Sequence, residues 1–208
     1  MPQVLRDRME IIEPLIRTGD VLDLGCVDAR PQRHGSAERI ERKPNSLHKR
    51  ITQINPAALG VDFDAEGVKV LQSMGLNVVQ GDVETLDLGR QFDTIIAGEL
   101  IEHLENPGRF LRNMLRHLKP AGKLVISTPN PFYAAQTWKI WRYGQPAVHE
   151  DHMNWQDPTT LRQLLMRTGY QVESLYWIQP HPALLKSWKR LLRPWFSHTF
   201  LMVATPRG

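Results

Sequence analysis

The chain has 208 residues, of which 41% are apolar and 23% charged, a composition typical of a folded protein that excludes an intrinsically disordered one. Its single cysteine, Cys26, excludes an internal disulfide and a metal site made of cysteine alone, so we expect a cytoplasmic protein. The net charge of +4 arises from two basic segments, residues 28–50 and 184–196, so the remainder is net acidic and a general nucleic-acid-binding surface is not expected.

Helix-like and strand-like stretches alternate along the chain. Amphipathic periodicity predicts helices over residues 4–17, 66–73, 99–104, 107–118 and 158–169. Apolar runs predict seven strands, over residues 21–25, 58–62, 77–80, 92–97, 124–128, 170–178 and 200–205. This alternation predicts an α/β fold with a doubly wound, mostly parallel seven-stranded sheet and helices on both faces. The sequence has no repeat and no linker, so we expect residues 1–208 to form one domain.

Three further stretches lie outside this regular alternation. Residues 28–45 form a basic insertion, and residues 129–158 form a second insertion rich in Trp, His and Pro, as expected of a lid or binding loop. Residues 184–196 predict a basic amphipathic helix. That helix can lie in a membrane interface, giving a peripheral membrane contact, or pack on the protein with its bases in water. No apolar run reaches the roughly 18–20 residues that span a bilayer.

Carboxylates follow three of the predicted strands. Asp62 ends the second strand, Asp82 follows the third, and Glu99 follows the fourth. The first strand carries Asp23 and leads into a turn at Gly25. Ligands of open α/β sheets bind beyond the carboxyl ends of the strands, so we expect these loops to form one ligand site.

These loops belong to six motifs that occur in a characteristic order. The motifs are VLDLGC (21–26), GVDFD (60–64), GDVE (81–84), FDTIIAGELIEHL (92–104), LKPAGKLVISTPN (118–130) and LLMRTGYQVES (164–174). In this order the set resembles the class I methyltransferases that use S-adenosylmethionine (SAM), over roughly residues 21–205. The resemblance implies SAM as cofactor and implies that Asp62 binds the ribose hydroxyls and Asp82 the adenine amino group. The cofactor-binding residues that it implies are Asp23, Gly25, Cys26, Asp62, Phe63, Asp82, Val83, Ala97, Gly98, Glu99 and Leu100.

The first loop departs from the family pattern. Where the family has a G-x-G-x-G turn, this chain has Gly25 alone, and Asp62 lies further along the chain than the ~20 residues typical of such a turn and its ribose-binding acid. The departure counts against a nicotinamide dehydrogenase, whose pyrophosphate needs those glycines. It also leaves open a SAM-binding protein that no longer transfers methyl groups.

Glu99, Glu102 and His103 stand at positions i, i+3 and i+4, which share one face of a helix. Carboxylate and imidazole together suit a divalent metal such as Mg²⁺, Mn²⁺ or Zn²⁺. The E-x-x-E-H segment resembles that of the ubiquinone-biosynthesis O-methyltransferases and of the small-RNA 2′-O-methyltransferases. The second resemblance implies a metal held by these three residues and a later histidine, either His152 or His149. As alternatives, the expected catalytic residues Glu102 and His103 act without a metal, with His103 as general base, or are structural.

The second insertion supplies candidate acceptor contacts. Its aromatic residues can stack on a flat or sugar-like molecule, or pack the insertion onto the sheet. We expect His149 and Trp155 to contact substrate, together with His48 beside the basic first insertion. The expected reaction is O-methylation of a hydroxyl on a small-molecule or glycan-type acceptor. RNA 2′-O-methylation is an alternative that the lack of an extra RNA-binding domain disfavours, and N- and C-methylation stay open.

Overall fold

The computed structural model describes residues 3–27, 40, 45–146, 148–179 and 197–208. They form one eight-stranded sheet with packed side chains on both of its faces. The strands are β1 (Gln3–Leu5), β2 (Val21–Leu24), β3 (Leu59–Asp62), β4 (Val78–Gln80), β5 (Phe92–Gly98), β6 (Leu118–Pro129), β7 (Tyr170–Ile178) and β8 (Thr199–Pro206). The helices are α1 (Met9–Ile16), α2 (Leu47–Ile54), α3 (Ala65–Ser73), α4 (Pro107–His117), α5 (Ala134–Tyr143) and α6 (Pro158–Arg167), and Ile101–His103 form a single 3₁₀ turn.

The strands lie in the order β1-β7-β8-β6-β5-β2-β3-β4. Strand β8 runs antiparallel to β6 and β7, and every other neighbouring pair is parallel. The chain moves outward from β2 through β3 to β4 and then returns to place β5 on the other side of β2. The order therefore reverses between β2 and β5, and such a reversal opens the crevice in which doubly wound sheets bind ligands.

The central strands are buried on both faces, which explains their continuous apolar sequence. Successive side chains of a strand point to opposite faces of the sheet. On one face Leu22 and Ile95 pack in a cluster that includes Phe110 of α4. On the other face Val21 and Ile96 pack in a cluster that includes apolar residues of α1 and α2. Helices on both faces thus hold the carboxyl ends of β2 and β5 in place.

Two helices begin at aspartate caps. The Asp64 carboxylate accepts a hydrogen bond from the Glu66 backbone N–H at 3.0 Å and starts α3 directly after β3. Asp157 and Thr160 form a reciprocal capping box that starts α6. Since such a cap satisfies backbone donors that the helix leaves unpaired, both helix starts are fixed locally by the sequence.

The α/β fold class is confirmed, with two corrections to the predicted elements. The helix predicted over residues 4–17 begins only at Met9, and residues 3–5 instead form β1, an eighth strand whose partners are Tyr176, Trp177 and Ile178 of β7. The helix predicted over residues 99–104 is a single 3₁₀ turn. A short edge strand whose partner is far away in the chain leaves no local pattern, so periodicity assigned β1 to the helix.

The insertions are only partly described. Residues 129–158 include α5 and a segment that reaches the end of β5, whereas most of residues 28–45 and all of 184–196 lie outside the described residues. The predictions for those two stretches therefore stay predictions, as does the single-domain organisation. In the part of the chain that the structure describes, no helix is long and apolar enough to cross a membrane.

Candidate cofactor, metal and acceptor site

Two adjoining cavities open at the carboxyl ends of β2, β3 and β5. One has a volume of about 450 Å³ and the other of about 480 Å³, and Gly25, Asp62, Phe63, Leu100 and His103 line both. Glu99 and Gly98 line the first cavity, and Asp82 and Val83 line the second. The structure therefore brings together residues from all four loops in which the sequence predicted a ligand site.

The turn after β2 requires its glycine. Gly25 has φ +75°, and a Cβ there would lie 3.3 Å from Leu100 Cδ1. Its backbone N–H donates to the Val61 carbonyl at 2.9 Å, which ties the turn to β3. The next residue, Cys26, is buried, and burial raises the pKa of its thiol far above the usual range. Cys26 is therefore an inert wall residue, since the thiolate is the reactive form.

Asp62 holds the loops on either side of it. One carboxylate oxygen accepts from the Val27 N–H at 2.9 Å and the other from the Asp64 N–H at 3.0 Å. Burial raises the pKa of this carboxyl group. The neighbouring Phe63 is 76% exposed although it borders both cavities. An exposed aromatic ring beside a cavity offers a flat apolar surface for a ligand.

Asp82 lies in the second cavity, where it also shapes its own loop. Its carboxylate accepts from the Glu84 backbone N–H at 2.9 Å and from the Thr85 hydroxyl at 2.8 Å. These bonds hold the turn after β4 beside the cavity. Val83 next to it is buried in the core and also lines the cavity.

A buried, hydrogen-bonded pair of side chains lies at the first cavity, which His48 lines and Asp23 does not. Asp23 on β2 and His48 on α2 are both buried, with 2.9 Å between Asp23 Oδ2 and His48 Nδ1. Among the described residues no group hydrogen-bonds to His48 Nε2. A Cβ on Gly60 would lie 2.7 Å from His48 Cε1, so the bare glycine on β3 makes room for the ring. His48, which was expected to contact substrate, thus lines the first cavity.

Sequence reasoning missed Arg8, which precedes α1. Its side chain lines the first cavity beside Gly98, and Nη1 lies 3.5 Å from Ser127 Oγ. Within the described segments this long contact is the one hydrogen bond recorded for the guanidinium group. No motif marks Arg8, because the order of strands, not the local sequence, brings it to the cavity.

Glu99 does not join Glu102 and His103 on a common helical face, which corrects the prediction made from spacing. Its backbone has φ +56°, and the helix expected from residue 99 is absent. One Glu99 carboxylate oxygen accepts from the Thr199 hydroxyl at 3.2 Å. Glu99 therefore turns toward β8, while Ala97 is buried within β5 and lines neither cavity.

Glu102, His103 and His152 form a cluster close enough together to hold a metal ion. Each offers a ligand atom, and these atoms lie within 4.8 Å of one another. Glu102 is buried, and burial raises its pKa to about 7. One of its oxygens accepts from the Thr128 hydroxyl at 2.9 Å, and the other has no partner among the described residues. Burying a carboxylate oxygen without a partner costs free energy, unless a cation or a hydrogen-bond donor contacts it.

The second insertion contributes to this cluster directly. The backbone N–H groups of Met153 and Asn154 donate to the Glu102 carbonyl, at 2.8 and 3.0 Å. His103 Nδ1 lies 3.0 Å from the carbonyl oxygen of Asp151, so Nδ1 carries the proton and Nε2 is the basic nitrogen. Of the two candidate histidines, His152 belongs to the cluster and His149 lies outside it, with 5.6 Å between their ring centroids.

A third cavity, of about 400 Å³, lies on the other side of the cluster. His149, His152 and Trp155 of the insertion line it, together with Tyr133 and His198. Burial lowers the pKa of His198, which keeps its imidazole neutral. The cavity shares His152 and Pro129 with the first cavity. Of the Glu102, His103 and His152 cluster, His152 therefore lies where the two cavities meet.

Comparison with known proteins identifies the family of the chain. The profile of a family described as a methyltransferase domain matches residues 1–175. Two relatives named ubiquinone biosynthesis O-methyltransferase are 29% identical over 124 residues (Rickettsia conorii) and 30% identical over 133 residues (Rickettsia felis). These matches cover 55% and 59% of this chain but only 41% and 50% of the relatives, so the chain spans about half of their length.

Solved structures share the fold at low identity. A SAM-dependent methyltransferase from Mesorhizobium loti has a TM-score of 0.62 at 16% identity, covering 95% of both chains. Magnesium protoporphyrin IX methyltransferase from Synechocystis, solved with bound S-adenosylhomocysteine (SAH), also has a TM-score of 0.62. It is 13% identical, and the match covers 95% of this chain and 78% of that protein. At these identities the likeness shows the fold alone.

Proposed function

This chain belongs to the class I SAM-dependent methyltransferase family, and we propose that it transfers the methyl group of SAM to a hydroxyl of a small-molecule or glycan-type acceptor. One observation carries the proposal: the first and third cavities share His152, which belongs to a cluster of one carboxylate and two imidazoles. A methyl donor on one side and a hydroxyl on the other would then face each other across groups that can activate the hydroxyl.

The two cofactor cavities fit the parts of SAM. Asp62 would accept the ribose hydroxyls, since its carboxylate borders both cavities. The exposed Phe63 ring would cover the adenine, whose amino group would donate to Asp82. Arg8 would pair with the methionine carboxylate, because a guanidinium group in a cavity with few protein partners suits an anionic group.

The cluster fits a divalent metal, which Glu102, His103 and His152 would hold. The partnerless Glu102 oxygen supports this, because a cation would compensate its burial. Mixed carboxylate and imidazole donors suit Mn²⁺ or Zn²⁺, with Mg²⁺ less favoured by the imidazoles. When bound, such an ion lowers the pKa of a coordinated hydroxyl and holds it in place. The Thr128 hydroxyl would orient Glu102, and the Asp151 carbonyl would orient His103, through their hydrogen bonds to these ligands.

Methyl transfer requires the protein to align the acceptor oxygen with the methyl carbon and to remove one proton from the acceptor hydroxyl. The acceptor oxygen attacks the methyl carbon in line with the C–S bond, which breaks and leaves its electron pair on sulfur as SAH. The hydroxyl proton would pass to His103 Nε2 as the base, a role supported by the contact of Nδ1 with the Asp151 carbonyl, which leaves Nε2 as the basic nitrogen. This proton-accepting role for His103 is the metal-free alternative, in which Glu102 and His152 orient the imidazole.

The proposal is tested by methyl transfer from labelled SAM to a panel of catechols, quinols, monosaccharides and a short RNA. We expect transfer to a hydroxyl of a small acceptor, and a loss of at least about a hundredfold in kcat for His103→Asn with a much smaller change in SAH affinity. Full activity of His103→Asn would refute both roles for this residue. SAH binding without transfer to any acceptor would instead support a non-catalytic SAM-binding protein, and transfer to RNA alone would favour the RNA alternative.

The metal component has its own test. Calorimetric titration of metal-free protein with Mn²⁺ and Zn²⁺ should show one site, and Glu102→Gln should weaken it by at least about tenfold. Glu99→Gln is the matched control, because Glu99 makes its bond to Thr199 and lies outside the cluster. Equal losses in both variants, or no metal binding to the native chain, would contradict the metal-assisted mechanism.

A further inference from the structure

Helix α5 (Ala134–Tyr143) is an unusual surface element because none of its ten residues is buried. Its large apolar side chains face outward: Trp141 is 80% exposed, Tyr143 64% and Trp138 55%. Helices of soluble proteins normally bury one apolar face against the core. The rings of α5 contact one another instead, with 6.3 Å between the Trp138 and Tyr143 centroids.

The exposed aromatic rings belong to a concentrated patch. The described residues include eleven exposed large apolar side chains, and five of them fall within residues 132–143. The five are Phe132, Trp138, Ile140, Trp141 and Tyr143. Contiguous exposed apolar groups on this scale mark a surface that is covered by a partner or a membrane.

The charged residues in the stretch of chain that carries the patch are all basic. Residues 106–149 contain no aspartate or glutamate, and α5 itself carries Lys139 and Arg142 among its aromatic residues. The Arg142 guanidinium lies 5.4 Å from the centre of the Tyr143 ring, so the base and the aromatic group share one surface. Such a surface complements a layer of negative charge with apolar material beneath it.

We propose that α5 docks the protein onto the surface of an anionic lipid bilayer. Tryptophan and tyrosine concentrate at membrane–water interfaces, where a ring can enter the acyl boundary while its polar atom stays hydrated. Lysine and arginine in the same helix add attraction to anionic headgroups. The helix lies flat in the interface and does not cross the bilayer, since ten residues span only about 15 Å.

This docking surface adjoins the third cavity. Tyr133, the residue before α5, and Gln136 in its first turn both line that cavity. A helix docked through Trp138 and Trp141 therefore brings the cavity close to the lipid surface. The inference stands on exposure and charge and does not depend on which reaction the site performs.

The proposal is tested by sedimenting the full chain with vesicles of phosphatidylcholine alone and of phosphatidylcholine with phosphatidylglycerol. We expect binding to the anionic vesicles that weakens as salt rises, and a loss of at least about tenfold in the double variant Trp138→Ala, Trp141→Ala. Lys139→Glu with Arg142→Glu should lower binding to anionic vesicles in the same way. Met166→Ala on α6, which removes another exposed apolar side chain, is the matched control and should bind like the native chain.

Three results would overturn the proposal. Failure of the native chain to bind either vesicle would exclude the lipid surface, and undiminished binding by the tryptophan double variant would exclude α5 as the contact. A native dimer in light scattering that becomes a monomer in the double variant, with no vesicle binding, would instead assign the patch to a second copy of the chain. Circular dichroism and SAH binding confirm that each variant is folded.

Discussion

Replacing Gly60 with alanine should displace the buried side chains beside the first cavity and so lower both stability and SAH affinity. A Cβ at this position on β3 would lie 2.7 Å from His48 Cε1, 2.8 Å from Val78 Cγ1 and 2.9 Å from Cys26 Sγ. His48 cannot simply rotate away, because its imidazole is buried and bonded to Asp23 at 2.9 Å. The added methyl group must therefore be accommodated by moving these buried side chains.

The magnitude follows from two opposing terms. Overpacking a filled core costs roughly 1–3 kcal/mol, and loss of glycine flexibility in the unfolded chain returns about 0.5–1 kcal/mol. We expect a net loss of about 1–2 kcal/mol in the free energy of unfolding. For a chain of this length that lowers Tm by roughly 2–8 °C. SAH binding should weaken as well, because His48 and Cys26 line the first cavity.

The control is Gly108→Ala, the same chemical change in helix α4. A Cβ on Gly108 would meet Arg112 Nη2 at an ordinary contact distance of 3.5 Å, so alanine should raise stability by up to about 1 kcal/mol and leave SAH binding unchanged. Differential scanning calorimetry gives both Tm values, and isothermal titration gives both affinities. A Gly60→Ala protein with native Tm and native SAH affinity would refute the close packing of Gly60 against His48 and Cys26.

Three further substitutions test other parts of the account. Arg8→Gln should weaken SAH binding by at least about tenfold in isothermal titration, because a charge-assisted pairing is lost; unchanged affinity would place the carboxylate elsewhere. Thr128→Val removes the donor that fixes the buried carboxylate of the metal cluster and should lower Mn²⁺ affinity by about tenfold without changing SAH affinity. Hydrogen bonds from Lys119 lower the pKa of Asp20 and Asp93, so their stabilisation is present above the ordinary carboxyl pKa and is lost as pH falls through the lowered values. Lys119→Met should therefore lower Tm at pH 7 but not at about pH 2, and an equal loss at both would contradict the ion-pair explanation.

The elements that the sequence predicted well are those whose pattern is local. Strand β2 is apolar except for Asp23 because it is buried on both faces of the sheet. The amphipathic repeat of α4 follows from burial of one face of that helix. Strand β1 was missed because its only reason to be extended is its partner β7, more than 170 residues away. The sequence could predict that Asp62 and Asp82 lie beside one cavity, because Asp62 ends β3, Asp82 follows β4 by two residues, and strand ends meet at one edge of a parallel sheet.

The cluster of Glu102, His103 and His152 shows what local sequence patterns cannot predict. Glu102, His103 and His152 do come together, but not through the helical face that suggested them. The positive φ of Glu99 breaks the helix and turns that side chain toward Thr199, a change that no spacing rule anticipates. Arg8 was missed for a similar reason, since it reaches the cavity through tertiary structure alone.

The most direct test of the account is calorimetric titration of the purified chain with SAH, first metal-free and then with Mn²⁺ or Zn²⁺. We expect saturable binding in the micromolar range that is retained without metal and weakened by at least about tenfold in Asp62→Ala. Folded protein that gives no heat of binding under any of these conditions would contradict the assignment of the paired cavities to SAM.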